Sequence, residues 1–375
     1  MNYLHRARAV LADIEAQGLR RTVTTRRGDA GIIDFASNDY LGLSRSPSVV
    51  QALRSSEIVG AGGSRLLSGA HPDHAVLEEE IARLVRRERA LLFSSGYLAG
   101  IGAIGAASRL VEHAYSDADN HASIIDALRL TRLARHVFPH LRPPPREDRK
   151  APSLVVSESL FGMSGEQANI PALLERLGDD DILILDEAHA LGVYGERGSG
   201  CASAYDDARI VIIGTLSKAC GCIGGFIAGR SDFIDLTINT ARTFMFDTAL
   251  PPAIARAARA AVHAIAQGDA LRARLDANIE RVQAGLRSID PSWEARDAPI
   301  VPLILGDAQT ALEVSAYLLE RRIYVPAIRP PTVPPGSSRL RITIRADHTE
   351  AQISALLRAL EDAPFHTLHS SDTIA

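Results

Sequence analysis

Short apolar runs alternate with helical periods along most of this chain. Residues 90–93, 153–156, 182–185, 210–213 and 225–228 are four-residue runs dominated by apolar side chains, each bounded by polar residues, glycine or proline. They are too short for buried helices and predict strands. Strands of this kind separated by amphipathic helical stretches predict an α/β fold, with a mostly parallel central sheet flanked by helices. The pattern holds over 46–265, which we take as the large domain. Ahead of it, 4–17 reads as an amphipathic helix and 32–35 resumes an apolar pattern, so 1–45 is expected to be an N-terminal helical arm. Behind it come a long Ala- and Arg-rich helical stretch over 252–288, a strand over 300–305, a helix over 310–321, a strand over 340–344 and a last helix to 360. This order predicts a small α+β C-terminal domain over 266–364. Residues 143–145, three prolines, predict an exposed loop, and 365–375 a disordered tail.

Composition narrows the function classes. With 375 residues, 46% apolar and 23% charged, the chain is long enough for two or three globular units. A formal charge of −4 gives no sustained attraction to nucleic acid or anionic lipid, and the arginine pairs are short and dispersed. No apolar run reaches a membrane-spanning length, and the start lacks the pattern of an export signal. The three cysteines, Cys201, Cys220 and Cys222, have neither redox nor zinc spacing and predict reduced thiols in a cytoplasmic protein. No metal site is expected.

Two segments carry the chemistry. Asp186-Glu187-Ala188-His189 follows the run 182–185, and Thr215-Leu216-Ser217-Lys218 follows 210–213. In open α/β sheets, ligands bind where strands end. An acid from one strand end and a lysine from the next suit opposite sides of a pyridine ring that carries an aldehyde, pyridoxal 5'-phosphate (PLP). The lysine would hold the aldehyde as a Schiff base and the acid would keep the ring nitrogen protonated. Lys218 sits among small and glycine residues in a chain with very few lysines, which argues against an incidental surface amine. Asp186 could equally cap a helix, and His189 could be a satisfied buried histidine. Ser94-Ser95-Gly96-Tyr97, between a strand and a helix, could hold a phosphate on backbone N–H groups or be a generic turn. His121 could stack on the ring or cap a helix. Thr248 could add a hydroxyl to the phosphate. Arg341, alternating with apolar residues on a strand, would need a carboxylate partner if it points inward.

Taken together, these segments resemble the α-oxoamine synthase family of fold type I PLP enzymes. The resemblance runs from about residue 4 to 360. It rests on Ser37-Asn38-Asp39-Tyr40-Leu41-Gly42-Leu43, Gly62-Gly63-Ser64-Arg65, Leu77-Glu78, Phe93-Ser94-Ser95-Gly96-Tyr97, His121-Ala122-Ser123 and the Asp186 and Lys218 segments. Arg329-Pro330-Pro331-Thr332 followed by Arg339-Leu340-Arg341 resembles the members that use alanine rather than glycine. The resemblance implies Lys218 as the Schiff-base lysine, with Asp186 on the pyridine nitrogen and His189 on the phenolic oxygen. It implies His121 stacked on the ring and Gly96, Tyr97 and Thr215 against the cofactor, with Thr248 donated by a second subunit. Arg20, His121, Thr332 and Arg341 are implied for substrate. It further implies a homodimer that condenses L-alanine with pimeloyl-CoA or a pimeloyl carrier protein. The rival readings are a glycine-using synthase with a short acyl-CoA, or a PLP-binding protein without catalysis. Two positions depart from the family pattern: Gly162, where a serine is usual, and Asp247, where a small hydroxyl residue is usual.

Overall fold

The computed structural model describes residues 2–23, 31–150 and 152–363; the tail expected over 365–375 lies outside them. Its strands are β1 (Ile33–Asp34), β2 (Arg89–Phe93), β3 (His113–Asp117), β4 (Ala134–Phe138), β5 (Ser153–Glu158), β6 (Ile182–Asp186), β7 (Ile210–Thr215), β8 (Gly225–Gly229), β9 (Ile300–Gly306), β10 (Ile323–Tyr324), β11 (Ala327–Ile328) and β12 (Ser338–Thr343). The chain divides into two compact units. One comprises the chain up to Ser37, Met163–Gly165 and the chain from Leu275 onward; the other comprises Asn38–Gly162 and Glu166–Arg274.

The larger unit is built on a seven-stranded sheet in the order β2-β8-β7-β6-β5-β3-β4. The strands from β7 to β4 are parallel, and β8 runs antiparallel between β7 and β2. β5, β6 and β7 are buried along nearly their whole length, which explains the apolar runs within them. Helix Gly96–Ala107 packs on one face of the sheet. Ala99, Ala103, Ile104 and Ala107 join Phe93, Val156, Ile184, Ile213 and Ile227 in one apolar cluster. Its small side chains let the helix lie close to the strands, so its N-terminus meets the strand ends.

The structure corrects several expectations. β3 and β4 were not foreseen, because β3 reads His-Ala-Tyr-Ser-Asp and β4 is a sheet edge with four of its five residues exposed. The helical stretch over 252–288 is two helices, Pro252–Ala266 and Asp269–Ile289. Gly268 separates them: its N–H turns back to Ile265, and its carbonyl starts the next helix by accepting from Leu271 and Arg272.

The smaller unit holds an antiparallel sheet, β11-β12-β9, with helices Ala308–Glu320 and Glu350–Glu361. β1 pairs in parallel with β10, and Phe35 accepts from Thr343 N–H at 2.8 Å. The N-terminal segment is therefore partly woven into the C-terminal unit. The divisions fall after Ser37 and Arg274, where the hydrophobic pattern had placed them after 45 and 265.

The starts of β5 and β6 are tied by a buried ion pair. Asp181 accepts from Ser153 N–H at 2.8 Å and Gly178 N–H at 2.7 Å and lies 3.0 Å from the Arg149 guanidinium, with both charged side chains no more than 2% exposed. Burial alone would raise the Asp181 pKa, but these donors outweigh it and hold the carboxyl below its usual range. Asp181→Ala leaves Arg149 uncompensated and is expected to destabilise this unit by about 3–5 kcal/mol. Urea denaturation of the variant checks the figure; a loss below about 1 kcal/mol would mean the pair is not needed.

Candidate active site

Parallel register brings the chemistry together. Glu158 at the end of β5 stands beside Asp186 at the end of β6, and Asp186 beside Ile213 on β7, two residues before Thr215. β2 ends at the same edge and leads through Ser94 and Ser95 into helix Gly96–Ala107. These ends enclose a cavity of about 270 Å³, near the lower size of small-molecule sites. Its lining includes Gly96, Tyr97, His121, Asp186, His189, Thr215 and Lys218, all foreseen from the sequence. It also includes Ser95 of the expected phosphate turn, and Ser123, Glu158 and Ser217, for which no role was foreseen. Glu158 was legible in principle: it closes a strand whose end was set two residues short.

The turn after β6 sorts its two acids. Asp186 faces the cavity while one of its oxygens accepts from Ala188 N–H at 2.9 Å, so it holds the turn as well. Glu187 turns inward and accepts from the N–H groups of Cys201 and Ala202 at 2.7 and 2.9 Å. Burial drives Glu158 up to about 8, reinforced by the neighbouring Asp186 and opposed by Lys218 and by the N–H groups of Gly162 and His121. The cavity thus favours the neutral form of Glu158 over its carboxylate. Lys218 is half-buried, and its charge is felt at both Glu158 and His121.

The two histidines are each tied at one nitrogen. His121 Nδ1 accepts from Ser123 N–H at 3.2 Å, capping helix Ala122–Leu130. Its outer face is exposed, yet the strand ends crowd the ring enough that desolvation lowers its pKa, Asp186 acting in the opposite sense. His189 is buried, with Nδ1 2.6 Å from the Tyr40 hydroxyl. A Cβ at Gly162 would lie 2.4 Å from His189 Nε2, so the ring occupies the space a side chain there would fill.

The residues present fit PLP. Lys218 supplies the only kind of side chain that can anchor an aldehyde as an imine, and buried Asp186 supplies an acid for a ring nitrogen. A phosphate would fit at the start of helix Gly96–Ala107, where Ser95 caps Leu98 N–H, with the Thr215 and Ser217 hydroxyls 2.7 Å apart beside it. A Cβ at Gly225 would lie 2.4 Å from the Gly96 nitrogen, so glycine there allows this approach, and a Cβ at Gly96 would crowd Thr215 at 3.1 Å. The Tyr97 hydroxyl is turned to Asp126.

Thr248 does not line this cavity; it stands with Ser94, Phe93, Arg65 and Asp247. Asp247 takes the Ser94 hydroxyl as a donor, which gives the charge at this departure a partner. Arg20, Thr332 and Arg341 belong to the other unit. There Arg20 pairs with Glu15 at 2.5 Å, Thr332 is exposed, and Arg341 is buried on β12 and donates to Thr343 Oγ1 at 2.8 Å. Among the described residues no group of three or more His, Cys, Asp or Glu could hold a metal ion, and no helix is long and apolar enough to cross a membrane.

The loop that carries His121 is clamped by His140. Its Nδ1 lies 2.8 Å from Asp117, the last residue of β3, and its Nε2 3.1 Å from Glu166. Burial alone would lower its pKa, but the two carboxylates push it up to about 10. A raised pKa stabilises the fold fully below the unfolded value near 6.5, and that contribution is lost as pH rises through about 10. Thermal melting between pH 6.5 and 10 should therefore show a loss on the order of a few kcal/mol that His140→Asn lacks; parallel profiles would contradict the clamp. At the cavity itself, Gly162→Ala forces the His189 ring off Tyr40 and should weaken PLP affinity about tenfold in an absorbance titration, whereas unchanged affinity would show the ring is not needed.

Residues 30–360 match the family Aminotransferase class I and II. The chain is 41% identical over 359 residues to 8-amino-7-oxononanoate synthase of Acidithiobacillus ferrooxidans, covering 91% of this chain and 90% of that protein. It is 37% identical over 372 residues to the synthase of Saccharophagus degradans, covering 96% and 93%. Among solved structures it is similar to SPT with PLP, at a TM-score of 0.86 and 26% identity over 96% of this chain and 98% of that one. It is also similar to 8-amino-7-oxononanoate synthase of Francisella tularensis, at a TM-score of 0.76 and 26% identity over 89% and 98%. With its strand-end cavity fitting PLP, the chain belongs to the 8-amino-7-oxononanoate synthase family within the class I and II aminotransferases, and is a PLP-dependent enzyme of the acyltransferase type.

Proposed function

We propose that this enzyme joins L-alanine to a pimeloyl thioester, on CoA or a carrier protein, and releases 8-amino-7-oxononanoate, the free thiol and CO2 in biotin synthesis. The observation that carries this reading is the placement of Lys218 and Asp186 in one cavity, delivered by the ends of adjacent strands β6 and β7. Bound there, PLP supplies a ring that accepts electrons from the carbon attached to the substrate amine.

Every other task falls to the protein. Lys218 anchors the cofactor until alanine arrives, and its released amine then takes the proton from the alanine α carbon. Asp186 would keep the ring nitrogen protonated, and His189 and His121 would serve the cofactor's phenolic oxygen and its ring. Gly96, Tyr97 and Thr215 would hold the cofactor, beside the buried Glu158, whose charged form burial disfavours. The α carbon bonds to the thioester carbonyl as the thiolate leaves. The resulting β-keto acid loses its carboxyl as CO2, and a proton returned to the carbon completes the product.

Arg20, Thr332 and Arg341 are assigned to substrate, Arg341 to a carboxylate. Thr248, outside its own chain's cavity, is assigned to the phosphate of a second copy, which makes the working form a homodimer with its sites at the interface. A cytoplasmic setting suits the three free thiols, whose pKa values burial raises.

The test is thiol release from pimeloyl-CoA with alanine or glycine as the amine. Alanine should be preferred by at least tenfold, and Lys218→Ala should lower turnover by 100-fold or more, in the range of a lost general base. Preference for glycine with a short acyl-CoA would overturn the substrate assignment, and release unaffected in Lys218→Ala would overturn the site.

A further inference from the structure

Ser37-Asn38-Asp39-Tyr40-Leu41-Gly42 marks the family, yet the reaction as proposed gives it no task. Its central residue, Tyr40, is fully buried. The turn around it is rigid: Asp39 accepts from Leu43 and Ser44 N–H at 2.9 and 3.1 Å, and Gly42 adopts φ +70, which favours glycine. This fixes the Tyr40 hydroxyl against His189.

His189 Nδ1 and Asn38 Oδ1 both lie within reach of that hydroxyl proton. His189 Nδ1 lies 2.6 Å from the oxygen and Asn38 Oδ1 lies 3.4 Å from it. A phenol is a better acid than imidazole N–H, imidazole nitrogen is the stronger base of the two acceptors, and the shorter contact is the stronger bond. The proton therefore goes to Nδ1. A neutral imidazole that accepts at Nδ1 carries its own proton on Nε2. The ring can lie where it does because Gly162 lacks the Cβ that would stand 2.4 Å from Nε2.

We propose that Tyr40 is a positioning residue which locks His189 in the Nε2–H form, so that this ring offers the cavity a hydrogen-bond donor for an anionic oxygen. This deepens the reading above, in which that oxygen is the phenolic oxygen of PLP. A fixed donor there stabilises negative charge on the oxygen and lowers the proton affinity of the nitrogen linking Lys218 to the cofactor. Losing the lock weakens both effects.

The experiment uses the full-length holoenzyme and its Tyr40→Phe variant, each labelled with nitrogen-15 in the histidine rings, the His189 signals assigned with His189→Asn. In the unaltered enzyme, His189 should show protonated Nε2 and unprotonated Nδ1. In Tyr40→Phe the two tautomers should mix, and the pH midpoint of the cofactor's long-wavelength absorption should rise by about half a unit or more. A protonated Nδ1 in the unaltered enzyme, or an unmoved midpoint and tautomer in the variant, overturns the proposal. The spectrum of the unaltered enzyme decides the tautomer even if Tyr40→Phe fails to fold. Borohydride fixation of PLP, run on both proteins, separates the two levels. No fixation in the unaltered enzyme overturns the functional reading, while fixation in both with no change in midpoint or tautomer overturns the role of Tyr40 alone.

Discussion

Strand register is the constraint from which the rest follows. Because β5, β6 and β7 run parallel and in step, the residues that end them share one edge, and Glu158, Asp186 and Thr215 cannot avoid one another. Burial on both faces of the sheet then removes water from that edge. Burial there disfavours the charged form of Glu158 and repulsion from Asp186 adds to it, which is why Glu158 is pushed up to about 8. The lysine that follows β7 enters the same cavity and eases that repulsion. The site is electrostatically coupled because the sheet leaves it no other arrangement.

Close approach is the second requirement. The helix that starts at Gly96 can touch the end of β8 because Gly225 carries no side chain where the two backbones meet. Gly162 does the same for the His189 ring. The hydrogen bonds that hold these turns are also those that orient the reacting groups. Asp186 secures its own turn through Ala188 N–H, and His121 caps its own helix through Ser123 N–H. Both residues thus hold their own turns while lining the cavity.

Much of this is legible in the amino-acid sequence. The buried strands announce themselves because both faces demand apolar side chains, and Asp186 and Lys218 stand out as polar residues placed where such runs stop. β3 and β4 were hidden because an edge strand has no hydrophobic demand on its outer face and β3 is written in small and polar residues. Glu158 was missed by a strand end set two residues early, and the Tyr40 contact because it joins residues 149 positions apart. The partial merging of the N-terminal segment with the C-terminal unit depends on a two-residue strand pair, β1 with β10, too short to leave a period. Local pattern reports what a segment buries; it does not report which distant segment buries it.

The central claim is that Lys218 carries the cofactor at the end of β7. The chain contains only two lysines, Lys150 and Lys218, so the claim can be read without ambiguity. Holoenzyme reduced with borohydride and digested should show one phosphopyridoxyl group, on the peptide that contains Lys218. The same group found on Lys150, or no fixed group at all, would contradict the account.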